Sequence, residues 1–334
     1  MTAPQTYSDI SPRTQAFAMV PLLKRHTERM ILQKLGQVYT LPTKSSTIGK
    51  WRRYEALSLA LTALVEGVTP AGQKPTFTDY SATLEEHGDF IPYTGFMLDT
   101  HEDPILKEYG SICVQQAAET LETLIYNKVK AGTNVGYANG SSRDDVNTPI
   151  TLAMQRTATA ALIRQRGEYI TDMVSANPDF RTEPVEAAFV AAVHSDVTND
   201  VRKMEGFIST KQYQGGIIPW ANEIGAVEDV RYVRSTLFTP WLGGTGVGGT
   251  KGAMRAIGDN TNADVYPVLY FSKDAFGMMP LKGSNAMSLI AHNPGSAGSA
   301  DALNQKGTLG WKMAQQSVIL NQLWLYRLEV AVTA

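Results

Sequence analysis

The chain has 334 residues, 43% of them hydrophobic, enough for one large domain or two closely joined ones. Its net charge of −2 excludes a global basic field that would gather nucleic acid. A single cysteine, Cys113, excludes an intrachain disulfide and suits a reducing compartment. The opening Met1-Thr2-Ala3-Pro4-Gln5 lacks the basic-then-apolar order of a signal peptide, and no run approaches the roughly 18 apolar residues of a membrane span.

Residues 1–11 are polar. A helix is predicted over 12–35, opened by Ser11-Pro12, kinked at Pro21 and stopped by Gly36, with Phe17, Val20, Leu23, Met30, Ile31 and Leu35 at helical spacing. Residues 38–97 read as extended, turn-rich chain broken by Pro42, Gly49, Gly67, Pro70, Gly72, Pro75, Gly88, Pro92 and Gly95. Within them, Ile48–Tyr54 and Thr78–Leu84 read as strands of a long two-stranded arm that closes near Gly67–Lys74, with Thr78, Tyr80, Ala82 and Leu84 on one face. An isolated hairpin is marginal in water, so this arm needs something to lie on, and a second copy of the chain fits. Charge supports that reading. Residues 1–60 carry nine Lys/Arg against three acids, and 61–120 carry two Lys against ten acids, so the blocks can attract within one chain or between copies, with an unevenly charged polar surface as the alternative.

A long helix is predicted over 104–131, capped by Asp103-Pro104 and ended by Gly132, about 40 Å in length. Its stripe is Ile105, Tyr109, Ile112, Leu121, Leu124, Ile125 and Val129, with Cys113 as a small core residue. A second helix is expected over 149–166 after Thr148-Pro149. Residues 185–193 are a buried strand or short helix, and 196–204 are helical. Residues 227–233 and 265–271 are central strands, and the parity of Val318, Leu320, Gln322, Trp324, Tyr326, Leu328, Val330 and Val332 makes one strand running to the terminus. The order of elements is α+β.

Few residues suggest chemistry. The Gly-rich run 243–252 fails the Walker pattern because Lys251 follows Thr250 and precedes Gly252, so it reads as a loop. His194, Asp196 and Asp200 are spaced for a metal, but a helix start capped by Ser195 or Asp196 explains them as well. Gly295–Ser299 lacks the nucleophile-elbow order. No catalytic, cofactor-binding or metal-binding residue is assigned.

Three blocks carry a resemblance. They are Trp51-Arg52-Arg53-Tyr54 through Glu66-Gly67-Val68-Thr69-Pro70, then Glu223-Ile224-Gly225 leading into Val230-Arg231-Tyr232-Val233, and Gly310-Trp311-Lys312 through Ile319-Leu320-Asn321 to Arg327-Leu328-Glu329. Their order and spacing resemble the major capsid proteins of tailed bacteriophages, in the N4-like coat family, over roughly residues 10–332. The resemblance implies the Hong Kong 97-type (HK97-like) capsid fold. It implies an amino-terminal arm over 1–37, an extended loop over 38–98, a peripheral domain with the spine helix over 99–140, an axial domain over 141–275, and a return to the peripheral domain over 276–334.

The implied function is self-assembly into pentamers and hexamers of an icosahedral virion shell enclosing double-stranded DNA, built in the cytoplasm of a bacterial host, with scaffolding and decoration proteins as further partners and no membrane contact. No enzymatic activity and no cofactor are expected. Lys50, Trp51, Arg52, Arg53, Tyr54 and Glu66 are the candidate contacts with a neighbour, because Trp, Tyr and Arg dominate interface hot spots; stabilising the arm's own hairpin is the alternative for the aromatic and Arg residues. Lys24, Arg25, Arg29 and Lys34 are the candidate DNA-facing residues, meeting phosphates without sequence specificity, with a solvated helix face as the alternative. No covalent crosslink is expected from Lys44, Lys50 or Lys74. Two rivals remain at this stage: another virion part (portal, tail or decoration protein), and a soluble α/β enzyme using the Gly-rich loop.

Overall fold

Two large sheets share one long helix. The computed structural model describes residues 30–63, 66–67, 69, 72–100, 105–170, 187–213, 220, 222–243, 250, 252–258, 261–282, 287–296, 301 and 303–334. Of the helix predicted over 12–35, residues 12–29 lie outside the described residues. Its end is a single 3-10 turn, Leu32–Lys34, rather than an α-helix. Gly36 follows it closely against the Phe276 ring, where any Cβ would collide. The turn is gripped by the buried Glu122, whose Oε1 accepts from the backbone N–H of Ile31 and of Leu32, both at 2.9 Å.

Strand β1 (Gln37–Val38) leads to the arm, where β2 (Ile48–Tyr54) and β3 (Phe77–Thr83) pair antiparallel, Trp51 opposite Tyr80 and Arg52 opposite Asp79. The expected inner face is present, for Ala82 is buried with Leu41 and Met279 while Trp51 and Leu84 pack beside them. Strand β4 (Glu85–Thr94) differs from the expectation of turn-rich chain: it runs beside a 14-residue strand for ten residues, and its Tyr93 is fully buried. Its sequence hides this because Pro92 and four polar residues interrupt the alternation. Pro is tolerated there because β4 pairs on one side only among the described residues.

Helix α1 (Gly95–Thr100) precedes the spine helix α2 (Ile105–Lys130), 26 residues and about 39 Å long. Ile105, Ile125, Val129 and Cys113 are buried along it as predicted, Tyr109, Leu121 and Leu124 are partly buried, Ala117 and Tyr126 join the buried face outside the predicted stripe, and Ile112 faces outward. After β5 (Val135–Tyr137) and a 3-10 turn at Arg143–Asp145, α3 spans Leu152–Arg164. It starts at Thr151, whose hydroxyl accepts from Met154 N–H, not at Thr148. The core requires this shift: Ile150 is buried in it, so the chain stays extended until Thr151 turns.

Next come β6 (Phe189–His194), a 3-10 turn at Ser195–Val197, α4 (Thr198–Arg202), β7 (Phe207–Ser209), β8 (Glu223–Val227) and β9 (Val230–Ser235). The single strand expected over 227–233 is two strands. The charged pair Glu228-Asp229 makes the turn, with Glu228 at φ +49°. Strands β10 (Tyr266–Phe271), β11 (Phe276–Pro280), β12 (Met287–His292), β13 (Lys306–Ile319) and β14 (Leu325–Val330) complete the fold. The one terminal strand expected from parity is broken: a 3-10 turn at Gln322–Trp324, started by the Asn321 side chain accepting from Leu323 N–H, moves the chain from one sheet to the other.

The five-stranded sheet has order β1-β11-β13-β12, with β4 on the opposite edge of β13. The seven-stranded sheet has order β5-β14-β10-β6-β9-β8-β7, so the terminal strand does belong to a main sheet. Its central β10 is buried throughout. One face packs on α3 through Ala158, Leu162, Tyr232 and Tyr270, and the other on the end of α2 through Ile125, Tyr126 and Val129. The start of α2 instead covers the five-stranded sheet, where Cys113 and Ala117 meet Tyr93, Leu309, Trp311 and Met313. One helix thus ties both sheets together. Among the described residues no helix is long and apolar enough to cross a membrane.

Candidate assembly surfaces

Lys50, Trp51, Arg52, Arg53 and Tyr54 sit together on β2, Glu66 lies beyond it in a turn, and the Trp and Arg residues are engaged within the fold. Arg52 makes a two-pronged pair with Asp79, at 2.7 and 2.8 Å, and its guanidinium lies 4.2 Å over the Phe77 ring. Arg53 bonds Glu55 at 2.8 Å, and the Thr78 hydroxyl donates to the same carboxylate oxygen. These bonds hold the Glu55 and Asp79 carboxyls below their ordinary range. Trp51 lies edge-on to Tyr39 and over Gly277. Lys50, Tyr54 and Glu66 are exposed, Tyr54 beside Phe77.

Beyond β2 the chain presents residues that the sequence reading missed. Leu57, Leu59 and Leu61 are 55%, 75% and 86% exposed. The signal was the alternation Leu-Ser-Leu-Ala-Leu-Thr over 57–62, a strand face without a second half. Such a run of exposed leucines on an extended segment marks a surface that meets something apolar.

A second apolar surface lies on the five-stranded sheet, on the face away from α2. Gly88 of β4 and Gly310 of β13 are its floor, Phe90 and Ile290 its walls, and Lys312 closes one end by pairing with Glu86 at 2.8 Å. The trough is about 530 Å³. The floor has to be glycine: a Cβ on Gly310 would lie 2.8 Å from Phe90 Cβ, and one on Gly88 would lie 2.6 Å from the Trp311 carbonyl oxygen. Glycine inside a strand commonly marks close approach by another backbone.

Where α2 ends, charge is concentrated. Glu329 of β14 is fully buried and accepts from Arg143 Nε at 2.6 Å and NH2 at 2.8 Å, while Arg327 Nε lies 2.9 Å away. Arg327 also donates to the carbonyls of Lys130 and Gly132, satisfying the end of the spine helix. Trp241 is the platform: the Lys130 ammonium lies 3.9 Å and the Arg143 guanidinium 3.7 Å from its ring centre. Lys130 is pushed down to about 8, by burial first and then by Arg143 and Arg327.

A pH effect follows from Lys130. Between about pH 8 and its ordinary 10.5 the folded chain holds a neutral amine while the unfolded chain keeps the proton, so stability rises with pH across that interval. Urea unfolding at pH 7.5 and 9.5 is expected to show the wild-type midpoint rising relative to that of Lys130→Met. Equal midpoint shifts in the two proteins would remove Lys130 as the source.

The remaining candidates are structural. His194 Nδ1, rather than Ser195 or Asp196, caps the turn by accepting from Asp196 N–H. Asp196 pairs with Arg255 at 3.0 Å, and Asp200 accepts from the N–H and hydroxyl of Thr333. Among the described residues no group of three or more His, Cys, Asp or Glu is arranged to hold a metal. Of the Gly-rich run, 244–249 and Lys251 lie outside the described residues; its flank is gathered by buried Asp264, which accepts from Gly243 and Ile257 N–H. Lys24, Arg25 and Arg29 also lie outside them, and Lys34 is exposed.

The arm, the spine helix and the two sheets define the HK97-like capsid fold. The chain superposes on the capsid of Ralstonia phage GP4 with a TM-score of 0.64 at 9% identity, over 100% of this chain and 99% of that one. The capsid of cyanophage P-SCSP1u matches at 0.58 and 13% identity over 98% and 97%. The head structure of Helicobacter pylori bacteriophage KHP40 matches at 0.60 and 11% over 88% and 87%. In sequence, the chain is similar to the major capsid protein of Pseudomonas phage KPP21, 24% identical over 242 residues. That alignment spans 68% of this chain and 60% of the relative's length. No protein-family model matches.

Proposed function

We propose that this chain is a phage major capsid protein, a structural subunit rather than a catalyst, whose copies join as pentamers and hexamers into an icosahedral shell around double-stranded DNA. The observation that carries this reading is the likeness to solved phage capsids over 100% and 98% of this chain. In this reading residues 1–37 are the amino-terminal arm and 38–98 the extended loop, with β4 at its root. Residues 99–140 and 276–334 make the peripheral domain and 141–275 the axial one. The sequence similarity to a phage major capsid protein supports the same assignment.

The contact mechanism is distributed. Lys50, Tyr54 and Glu66, with Leu57, Leu59 and Leu61, belong to the surface the arm offers a neighbouring copy, and the Gly88–Gly310 trough receives it. Trp51, Arg52 and Arg53 stiffen the arm that carries them. Each contact is modest, and closed symmetry multiplies it. Lys24, Arg25, Arg29 and Lys34 face packaged DNA without sequence preference, and scaffolding and decoration proteins are further partners. The particle forms in the host cytoplasm and the chain ends in the virion.

Negative-stain electron microscopy of the chain expressed alone and with its neighbouring phage genes, after light scattering, tests the proposal. Closed shells, tubes or capsomer-sized rings are expected. A monomer or dimer under both conditions, with nucleotide-dependent melting lost in Lys251→Ala, would replace it with the enzyme reading.

A further inference from the structure

Two outer edges of the five-stranded sheet, those of β4 and β12, differ in a way that assigns one of them a partner. Strand β13 is flanked over Lys306–Gln315 by β4 and over Thr308–Met313 by β12. Both flanking strands leave an outer edge that no described strand pairs. The β4 edge is protected: Glu85, Glu86 and Asp89 charge it, and Pro92 removes a donor. Against a copy of itself it sets acid near acid. The β12 edge, Met287-Ser288-Leu289-Ile290-Ala291-His292, has no acid, lysine, arginine or proline. Met287, Leu289 and Ile290 are 39%, 48% and 39% exposed. An uncharged, apolar open edge is a template for strand addition, and proteins that do not use such an edge block it.

We propose that β12 pairs antiparallel with β12 of a second copy across a twofold axis, joining two five-stranded sheets edge to edge. The occupant follows from the charge pattern. A twofold contact must be self-complementary, and β12 sets no like charges opposite each other in any register, whereas β4 does. Facing residues of an antiparallel pair point to one side of the sheet. A twofold axis perpendicular to the sheet therefore passes beside a residue that faces its own copy, and for a six-residue strand that residue is Leu289 or Ile290. In one register Met287 faces Ala291 of the partner subunit; in the other Ser288 faces His292 of the partner subunit. The proposal rests on the coat reading only for its setting: arm contacts would build the capsomer, and this edge would join copies in different capsomers.

Single cysteines at residues 288–291 in the full chain, oxidised with diamide, test the pairing. Cys113 is fully buried, so the wild-type chain is the background. Facing Cα atoms of an antiparallel pair are about 4.5–5.5 Å apart, within disulfide reach. Leu289→Cys or Ile290→Cys is expected to give non-reducing dimers at several times the yield of its sequence neighbours, and Leu289→Lys, at an exposed position outside the trough, to leave the thermal midpoint unchanged while leaving separate capsomer-sized rings. Shells from wild-type protein in which no position crosslinks would overturn the pairing and leave the coat reading standing. Crosslinked dimers from a chain that never builds rings or shells would support the pairing and remove the coat reading. A monomer that does not crosslink would end both.

Discussion

Replacing Glu329 with alanine is expected to lower the stability of the folded chain by about 3–5 kcal/mol, the range for breaking a buried ion pair by removing one partner. Glu329 is fully buried in β14 and balances Arg143 and Arg327. Without it, three cations remain around Trp241: Arg143, Arg327 and a Lys130 already strained toward its neutral form. Arg327 is 9% exposed and cannot turn to water without giving up the carbonyls of Lys130 and Gly132. The damage therefore passes to the end of the spine helix, where the seven-stranded sheet is attached.

Urea unfolding of Glu329→Ala, Glu329→Gln and Arg143→Met measures the effect. Glu329→Gln keeps the shape and one acceptor, so it is expected to fall between wild type and alanine. Arg143 is about one third exposed, so its loss is expected to cost less than that of Glu329. In a double-mutant cycle the Arg143 and Glu329 changes should be strongly non-additive, because they share one bond network. A loss under about 1 kcal/mol for Glu329→Ala would mean that water reaches the cluster and screens it.

The sequence carried the elements whose residues announce themselves locally. The spine helix was legible because its apolar stripe runs for seven turns and Gly132 stops it. The hairpin was legible from Ile48–Tyr54 and Thr78–Leu84, one residue off the observed Phe77–Thr83, because Tyr80, Ala82 and Leu84 alternate toward the sheet. What failed depended on partners distant in the chain. Strand β4 looks polar until β13 is placed beside it, because only Ile91 and Tyr93 reach the core under α2. Strand β13 itself pairs with three different strands, and its mixture of Gly, Gln and Ser matches no single pattern. The parity from Val318 to Val332 suggested one strand because Leu320 and Trp324 pack at the junction between sheets. The assembly residues divided similarly. Arg52 and Arg53 drew notice by composition but bond within the arm, whereas Leu57, Leu59 and Leu61 alternate like half a strand and need their exposure to be told from a buried face.

Substituting those three leucines together is expected to abolish closed shells while leaving the subunit folded. Removing the whole segment 44–76 is a blunter test. It also takes away Trp51 from Gly277 and leaves β3 without its partner β2, so failure to assemble would be mixed with damage to the fold. Leu57→Ser, Leu59→Ser and Leu61→Ser act on side chains already more than half exposed in the subunit. They should shift its urea midpoint by no more than an ordinary surface change, within about 0.5 kcal/mol each. In the proposed shell the same side chains would lie against a neighbour. Burying a leucine contributes about 1.5–3 kcal/mol, so the triple substitution removes on the order of 5–9 kcal/mol from each arm contact. At 1.4 kcal/mol per tenfold change in an equilibrium constant, that is about a thousandfold or more per contact. Leu59→Ser alone should raise the protein concentration needed for assembly without preventing closure. Light scattering and electron microscopy across a concentration series separate the cases. Normal shells from the folded triple variant would show that the leucine face is not what holds neighbouring copies together. Reversing the polarity of the trough with Ile290→Ser should then have no effect on arm binding either, because the two surfaces are proposed as halves of one contact.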